Sequence, residues 1–211
     1  MNISPTTYLV TQSNHSRDRT TPEVVRAAVA GGVDTVQLRE KHASDRERYR
    51  IGREVREFTR EADVTFLVND RVDLAQAVDA DGVHLGDDDL PVSVARELLG
   101  PDAVVGRSVS TVAGAREAVE AGADYLGVGA VYHTTTKQMA QSVGPERVRA
   151  VVDAVDVPVV GIGGVTPENA REVVEAGADG VAVVSAITAA DDPEGAARRL
   201  RAAAEGREAT R

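Results

Sequence analysis

The stretch EAVEAGADYLGVG, residues 117–129, joins the end of a helix to the start of a strand. A run of small and acidic residues ends at Gly122, Asp124 follows, and an apolar run typical of a buried strand begins at Tyr125. Glycine is favoured just after a helix because the chain there adopts a left-handed backbone. The stretch therefore predicts a helix that is followed closely by a buried strand.

The same pattern recurs at three other places in the chain. The related stretches are AAVAGGVDTVQL (27–38), AQAVDADGVHL (75–85) and EVVEAGADGVAVV (172–184). Further short β-branched runs alternate with segments of helical period. We predict strands at Thr7–Thr11, Thr35–Arg39, Thr65–Asn69, Gly82–Leu85, Ala103–Arg107, Tyr125–Gly129, Val157–Ile162 and Gly180–Val184. The predicted helices lie near residues 22–30, 45–62, 71–78, 92–99, 112–121, 145–154, 167–176 and 193–205.

Strands that are separated by helices and buried on both faces are typical of a parallel sheet. Eight such units favour a closed barrel over an open sheet. Thr21-Pro22 and Thr166-Pro167 are each interpreted as a helix N-cap followed by proline at the first helical position. We predict an α/β fold, a single (β/α)8 TIM barrel of parallel strands that forms one domain over residues 1–211, with a frayed tail from about Glu205.

Composition excludes several classes of function. The chain has 211 residues, 42% of them hydrophobic, and a net charge of −10, which argues against nucleic-acid binding. No apolar stretch is long enough to span a membrane, and the N-terminus lacks a signal pattern, so we expect a cytoplasmic protein with no membrane partner. The absence of cysteine leaves oxygen or imidazole as metal ligands. The sequence is compatible with a homo-oligomer but does not decide the oligomeric state.

Polar residues follow the predicted strands at the end where TIM barrels carry their active sites. Asp70 and Asp89 follow neighbouring strands, and Mg²⁺ favours one or two carboxylates together with phosphate oxygens and water. Arg39, Lys41 and Lys137 are cations at the same rim, where they would neutralise a departing diphosphate. The alternative for the acidic run 87–89 is a solvated turn.

A second phosphate site is predicted after the seventh strand. Gly163 and Gly164 precede a predicted helix, whose N–H groups and dipole favour a phosphate. Loops after strands seven and eight often bind phosphate in such barrels, which adds Val184 and Ser185. The alternative is a tight turn without a ligand. The run 134–137, Thr-Thr-Thr-Lys, is either a lid that donates hydrogen bonds to phosphate or an ordinary polar loop.

Seven motifs together resemble the thiamine phosphate synthase family. They are VQLREK (36–41), VND (68–70), DGVHLGDDDL (81–90), GRS (106–108), GAVYHTTTK (129–137), PVVGIGGVTPEN (158–169) and GADGVAVVSAI (177–187), and they cover most of the chain in order. The resemblance implies a transferase that joins 4-amino-2-methyl-5-hydroxymethylpyrimidine diphosphate to 4-methyl-5-(2-hydroxyethyl)thiazole phosphate. The products are thiamine phosphate and pyrophosphate, and the implied mechanism is dissociative and assisted by Mg²⁺.

The resemblance also implies roles for single residues. The residues implied to contact the pyrimidine diphosphate are Gln37, Arg39, Lys41, Asn69 and Lys137, with Ser108 beside the pyrimidine. Asp70 and Asp89 would bind magnesium. The residues implied to hold the thiazole phosphate are Thr134, Thr136, Gly164, Val184 and Ser185. The predicted substrate-binding set also includes Leu38, Glu40 and Thr135, and the residues expected to act in catalysis are Lys41, Lys137, Arg39 and Ser108.

The chain departs from the family pattern at a few positions. Ala130 and His133 replace two prolines, and Ser110 replaces a histidine. A thiazole tautomerase with the same barrel is an alternative function, but Ser110 and the intact run 134–137 point away from it. A non-catalytic thiamine-phosphate-binding protein is another, and the pair Asp70 and Asp89 argues against it. His84 is placed inside the barrel without a catalytic role.

Overall fold

The computed structural model describes residues 3, 5–134 and 142–206, and its strands form a closed parallel barrel. The strands are β1 (Thr7–Val10), β2 (Thr35–Leu38), β3 (Thr65–Asn69), β4 (Gly82–Leu85), β5 (Val104–Val109), β6 (Tyr125–Gly129), β7 (Val159–Ile162) and β8 (Gly180–Val183). Neighbours in the chain are neighbours in the barrel, and β8 closes onto β1, with Tyr8 opposite Ala182. The predicted (β/α)8 fold class is confirmed.

Helices alternate with these strands. They are α1 (Thr21–Ala30), α2 (Asp45–Glu61), α3 (Val72–Val78), α4 (Val92–Leu99), α5 (Val112–Glu120), α6 (Gly144–Val152), α7 (Ala170–Glu175), α8 (Ser185–Thr188) and α9 (Pro193–Ala204). The short helix α8 and a 3-10 turn at Ser13–His15 were not predicted, because such short segments have no helical period of their own. In the described part of the chain, no helix has the length and apolar character needed to cross a bilayer.

Two layers of apolar side chains fill the molecule. The larger one lies between the barrel and the helices and includes Val36, Phe66 and Leu126. A smaller cluster lies inside the barrel and includes Tyr8, Leu67 and Tyr125. Residues alternate between the two layers because successive side chains of a strand point to opposite faces. The smaller cluster therefore fills the barrel interior beneath the cavity, and the barrel is open at the carboxyl ends of the strands.

The aspartate of the recurring sequence pattern connects neighbouring strands. Each copy stands just before an even-numbered strand and accepts a backbone N–H from the odd-numbered strand before it. The bonds are Thr7 N to Asp34 (3.2 Å), Phe66 N to Asp81 (2.7 Å), Val105 N to Asp124 (2.7 Å) and Val159 N to Asp179 (2.8 Å). Buried N–H groups at a strand start need an acceptor, and a carboxylate is a strong one. The repeated aspartate thus satisfies the amino end of the barrel.

Helix ends and strand ends differ in part from the prediction. Gly122 and Gly177 follow α5 and α7 with φ of +95° and +100°, as predicted. The N-cap of α1 is Thr20 rather than Thr21, because Thr20 forms a capping box with Glu23. The strand β5 runs to Val109 rather than ending at Arg107, since its last residues pair with β6.

The helix α7 begins at Ala170, so the prediction of a helix opened by Thr166 and Pro167 was wrong. Asn169 accepts the N–H of Thr166 (2.8 Å) and donates to the carbonyl of Gly164 (3.0 Å), which makes residues 166–169 a turn before the helix. At the other end of the chain, α9 ends at Ala204, and most of the predicted frayed tail, residues 207–211, lies outside the described residues.

Candidate active site

A cavity of about 710 Å³ opens at the carboxyl ends of the strands. The predicted site residues that line it are Gln37, Arg39, Lys41, Asn69, Asp70, Asp89, Ser108, Thr134, Gly164, Val184 and Ser185. These residues lie in or directly after seven different strands, β2 to β8, and are brought together by barrel closure. The predicted residues Thr135, Thr136 and Lys137 lie outside the described residues.

Two predicted substrate-binding side chains do not line the cavity. Leu38 packs into the layer between the barrel and the helices, since it alternates with Gln37, which faces inward. Glu40 is buried beneath the rim, where it accepts the N–H of Ser13 and the hydroxyl of Thr21, each at 2.8 Å. Glu40 therefore supports the loop after β1, and neither side chain faces the cavity.

One ion pair and one carboxyl pair meet at the mouth of the cavity. The Nζ of Lys41 lies 3.0 Å from Oδ2 of Asp70, and Asp70 is hydrogen-bonded to Asp89. Oδ2 of Asp89 also accepts the N–H of Gly86 at 2.6 Å. Asp70 has φ of +65°, so the chain turns sharply after β3 and directs its carboxylate toward the carboxylate after β4.

The two carboxyl groups titrate differently. Burial raises the pKa of Asp89, and the hydrogen bond and charge of Asp70 raise it further. Burial acts to raise the pKa of Asp70 as well, but hydrogen bonds from Asp89 and Lys41, with the charges of Lys41 and Arg39, outweigh burial and lower this pKa. The pKa of Asp89 is therefore raised above its ordinary value, and that of Asp70 is lowered below it.

This cluster fits Mg²⁺ whose coordination is completed by a substrate. Within residues 3, 5–134 and 142–206, no group of three or more His, Cys, Asp or Glu side chains is arranged to hold a metal. Two adjacent carboxylates beside a lysine match a Mg²⁺ site that takes its other ligands from phosphate oxygens and water. Asp87 is engaged elsewhere, since it pairs with Arg107 at 2.9 Å.

Arg39 is the second cation of this side of the cavity. Its guanidinium donates to Oε1 of Gln12 and its backbone N–H to Oγ1 of Thr11 (3.0 Å), so the loop after β1 holds it in place. Burial lowers the pKa of Arg39, and the charges of Asp70 and Glu40 act in the opposite direction. A guanidinium held beside an ammonium group offers several fixed donors to a diphosphate.

A chain of buried and half-buried polar groups crosses the floor of the cavity. Gln37 donates to the hydroxyl of Tyr8 (2.6 Å), which lies 2.9 Å from the hydroxyl of Tyr125. The two ring nitrogens of His84 lie 2.7 Å from Tyr125 Oη and 2.9 Å from Ser108 Oγ. Burial raises the pKa of both tyrosines, so they stay neutral. This chain fixes Gln37 and Ser108, the two predicted substrate contacts at its ends.

Sequence reasoning missed most of this network. Tyr8 and Tyr125 were included only in predicted apolar strands, and His84 was correctly placed inside the barrel but given no role. A glycine on a neighbouring strand could have indicated a large side chain inside the barrel, because it leaves room for one. A Cβ at Gly106 would lie only 2.2 Å from the ring of Tyr125. Sequence reasoning also missed Arg147 of α6, a half-buried residue that lines the cavity.

The predicted phosphate loop is built around two adjacent glycines with positive φ, +95° at Gly163 and +68° at Gly164. A Cβ at Gly163 would lie 2.6 Å from Cβ of Ala130, and a Cβ at Gly164 would lie 2.6 Å from the carbonyl oxygen of His133. The loop after β6 therefore packs directly on the loop after β7. His133 is exposed and does not line the cavity.

Comparisons with known proteins match nearly the whole chain. A family model described as thiamine monophosphate synthase matches residues 7–187. A protein of Natronomonas pharaonis named thiamine-phosphate synthase is 66% identical over 202 residues, 94% of each chain. One of Moorella thermoacetica with the same name is 52% identical over 195 residues, 92% of this chain and 93% of the other. The solved structure of thiamine phosphate pyrophosphorylase from Pyrococcus furiosus superposes with a TM-score of 0.89 at 44% identity and 96% coverage of both chains.

Proposed function

Because the chain belongs to the thiamine monophosphate synthase family, we propose that it is a thiamine phosphate synthase. Its substrates would be 4-amino-2-methyl-5-hydroxymethylpyrimidine diphosphate and 4-methyl-5-(2-hydroxyethyl)thiazole phosphate. The reaction breaks the bond between the methylene carbon and the diphosphate oxygen and forms a bond from the same carbon to the thiazole nitrogen. The products are thiamine phosphate and pyrophosphate.

One observation carries the proposal most directly. Lys41, Asp70 and Asp89 follow three successive strands and meet at one mouth, with a nitrogen-to-oxygen distance of 3.0 Å between Lys41 and Asp70. A site for the thiazole phosphate alone would not need a carboxylate pair and a lysine on the side away from the glycine loop. This arrangement supports a second, diphosphate-bearing substrate.

The side of the cavity near β2 and β3 would bind the diphosphate. Lys41 and Arg39 place fixed positive charge where charge accumulates on the departing oxygen, and such preorganised charge lowers the barrier to bond cleavage. Asp70 and Asp89 are the residues that would hold Mg²⁺. When bound, Mg²⁺ supplies positive charge that neutralises phosphate oxygens of the leaving group.

The floor of the cavity would bind the pyrimidine. Gln37 and Ser108 face the substrate from opposite ends of the buried polar chain, so their donors and acceptors are oriented before binding. Departure of the diphosphate leaves a cation on the methylene carbon, which the amino group of the pyrimidine stabilises. The thiazole nitrogen then donates its electron pair. The protein supplies no nucleophile, and its main contribution is to position the rings and exclude water.

The direct test is turnover by the purified protein. We expect equimolar thiamine phosphate and pyrophosphate when both substrates and Mg²⁺ are present, measured by chromatography and a coupled pyrophosphate assay. Omitting Mg²⁺ or either substrate should abolish both products. Pyrophosphate release without thiamine phosphate, or no reaction under any condition, would contradict the proposed function.

A further inference from the structure

Arg147 is a half-buried arginine of the cavity wall that the sequence motifs do not include. It stands near the start of α6, just before Val148 and one turn before Val151, both of which are buried. Residues four apart in a helix lie on the same face. Arg147 therefore lies on the barrel-facing side of α6, at the end of the helix that meets the cavity.

The position of α6 places Arg147 near the glycine loop rather than near Lys41. The helix α6 packs on β6 and β7, and β7 leads directly into Gly163 and Gly164. The N–H of Tyr132 donates to the carbonyl of Gly163 at 2.9 Å, which joins the two loops. The strands β2 and β3, which precede Lys41 and Asp70, lie on the opposite side of the barrel.

Arg147 is also available for an anion. Lys41 pairs with Asp70, but Arg147 makes no ion pair with any carboxylate in the described part of the chain. The protein has 34 acidic residues and only 24 lysines and arginines, so an arginine without a carboxylate partner is unexpected. Arg39, the cavity arginine predicted to contact diphosphate, likewise pairs with no described carboxylate and donates to Gln12 instead.

We propose that Arg147 binds the phosphate group of the thiazole substrate, together with the backbone of Gly163 and Gly164, and so makes the enzyme prefer a phosphorylated thiazole. This inference rests on the proposed function, since it names a binding residue for that reaction. A guanidinium gives a phosphate two parallel charge-assisted hydrogen bonds, whereas the uncharged thiazole alcohol gains nothing from it. The preference should therefore depend on this side chain.

The test compares Arg147→Gln with Arg149→Gln, a matched change on the same helix. Arg149 is exposed and donates to the carbonyl of Glu175 at 2.9 Å, away from the cavity. Calorimetry would measure Kd for the thiazole phosphate, for the thiazole alcohol and for the pyrimidine diphosphate. We expect Arg147→Gln to raise Kd for the thiazole phosphate about tenfold, the effect of a lost charge-assisted hydrogen bond. The other two Kd values and all values for Arg149→Gln should stay as in the wild type.

The outcomes separate this inference from the proposed function. If the wild type turns over and Arg147→Gln binds the thiazole phosphate as the wild type does, the role of Arg147 is wrong and the function stands. Equal losses for both substrates would also overturn it, because they indicate a general charge effect. If the wild type binds the thiazole phosphate but shows no turnover, the proposed function is wrong, and the Kd of Arg147→Gln still decides the role of Arg147. A wild type that neither binds the thiazole phosphate nor turns over would overturn both the proposed function and the role of Arg147.

Discussion

The carboxyl group of Asp89 contacts both Asp70 and the N–H of Gly86. The change Asp89→Asn removes one of two carboxylates from the proposed Mg²⁺ site while it keeps the size of the side chain. We expect Mg²⁺-dependent turnover to fall at least about a hundredfold, the upper end of losses seen for residues that orient metal ligands.

The control for Asp89→Asn is Asp18→Asn, an exposed aspartate of the loop after β1 that does not line the cavity. It should turn over as the wild type does. Circular dichroism would check that both variants fold. Normal turnover by a folded Asp89→Asn protein would show that Asp89 has no role with the metal.

Gly163 can be compared with Gly122, since both have φ of +95°. Alanine in a left-handed backbone costs about 1 kcal/mol, and nothing lies within 4 Å of a Cβ at Gly122, so Gly122→Ala should cost only that. Gly163→Ala should cost more and raise KM for the thiazole phosphate, because its Cβ would lie 2.6 Å from Cβ of Ala130. Urea denaturation and initial rates measure both effects. Equal losses of stability would show that this close packing is unimportant.

Sequence reasoning identified residues whose position follows from a strand end, such as Lys41, Asp70 and Asp89. It failed where a role depends on which side chains of neighbouring strands lie next to each other inside the barrel. The contact between His84 and Ser108 joins two strands, and only the register of β4 against β5 brings the two residues together. The side-chain direction of Glu40 was not predictable for a related reason: a polar residue after a strand can turn beneath the rim instead of into the cavity.

At the scale of secondary-structure elements, the repeated aspartate links four pairs of neighbouring strands. Asp124 accepts the N–H of Val105 at 2.7 Å and pairs with Arg96, and its side chain is 31% exposed. Asp124→Ala should lower the free energy of unfolding by about 2 kcal/mol, since hydrogen bonds to charged groups contribute about 1.5–3 kcal/mol. Urea denaturation would measure this change.

The control for Asp124→Ala is Asp102→Ala, an exposed aspartate in the loop before the same strand β5. We expect its stability to change by less than about 0.5 kcal/mol, as for most surface substitutions. If the two variants were equally stable, the aspartate of the recurring pattern would have no part in joining the strands.

The element pattern was predictable because four units repeat one order, a helix, a turn, an aspartate and a strand, and short β-branched runs mark the other strands. Boundaries were less predictable where a side chain redirects the backbone. Asn169 forms a turn with Thr166 and Gly164, and it delays α7 by three residues relative to the predicted start at 167. The short helix α8 begins at Ser185, and four residues are too few to show a helical period.

At the scale of the whole molecule, the net charge of −10 predicts a dependence on salt. Repulsion among excess acidic groups destabilises the compact state, and salt screens it, since the Debye length falls from about 30 Å at 0.01 M to about 8 Å at 0.15 M. We expect Tm to rise between these two NaCl concentrations, measured by calorimetry. A fall in Tm would indicate that surface ion pairs, rather than net repulsion, dominate the electrostatics.

Barrel closure is the property of the whole molecule that the proposed function depends on. The number of units predicted closure, and the pairing of β8 with β1 confirms it. Closure brings Lys41, Asp70 and Asp89 to one mouth and places the glycine loop and Arg147 across from them. The position of Lys137, the fourth residue expected at this mouth, stays a prediction.

A crystal structure of the protein with Mg²⁺, pyrophosphate and thiamine phosphate tests this arrangement most directly. We predict Mg²⁺ at about 2.0–2.1 Å from carboxylate oxygens of Asp70 and Asp89, the range for magnesium ligands. Pyrophosphate should contact Lys41 and Arg39, and the phosphate of thiamine phosphate should lie at Gly163 and Gly164. Metal and pyrophosphate bound away from the two aspartates, or both phosphate groups on one side of the barrel, would contradict the account.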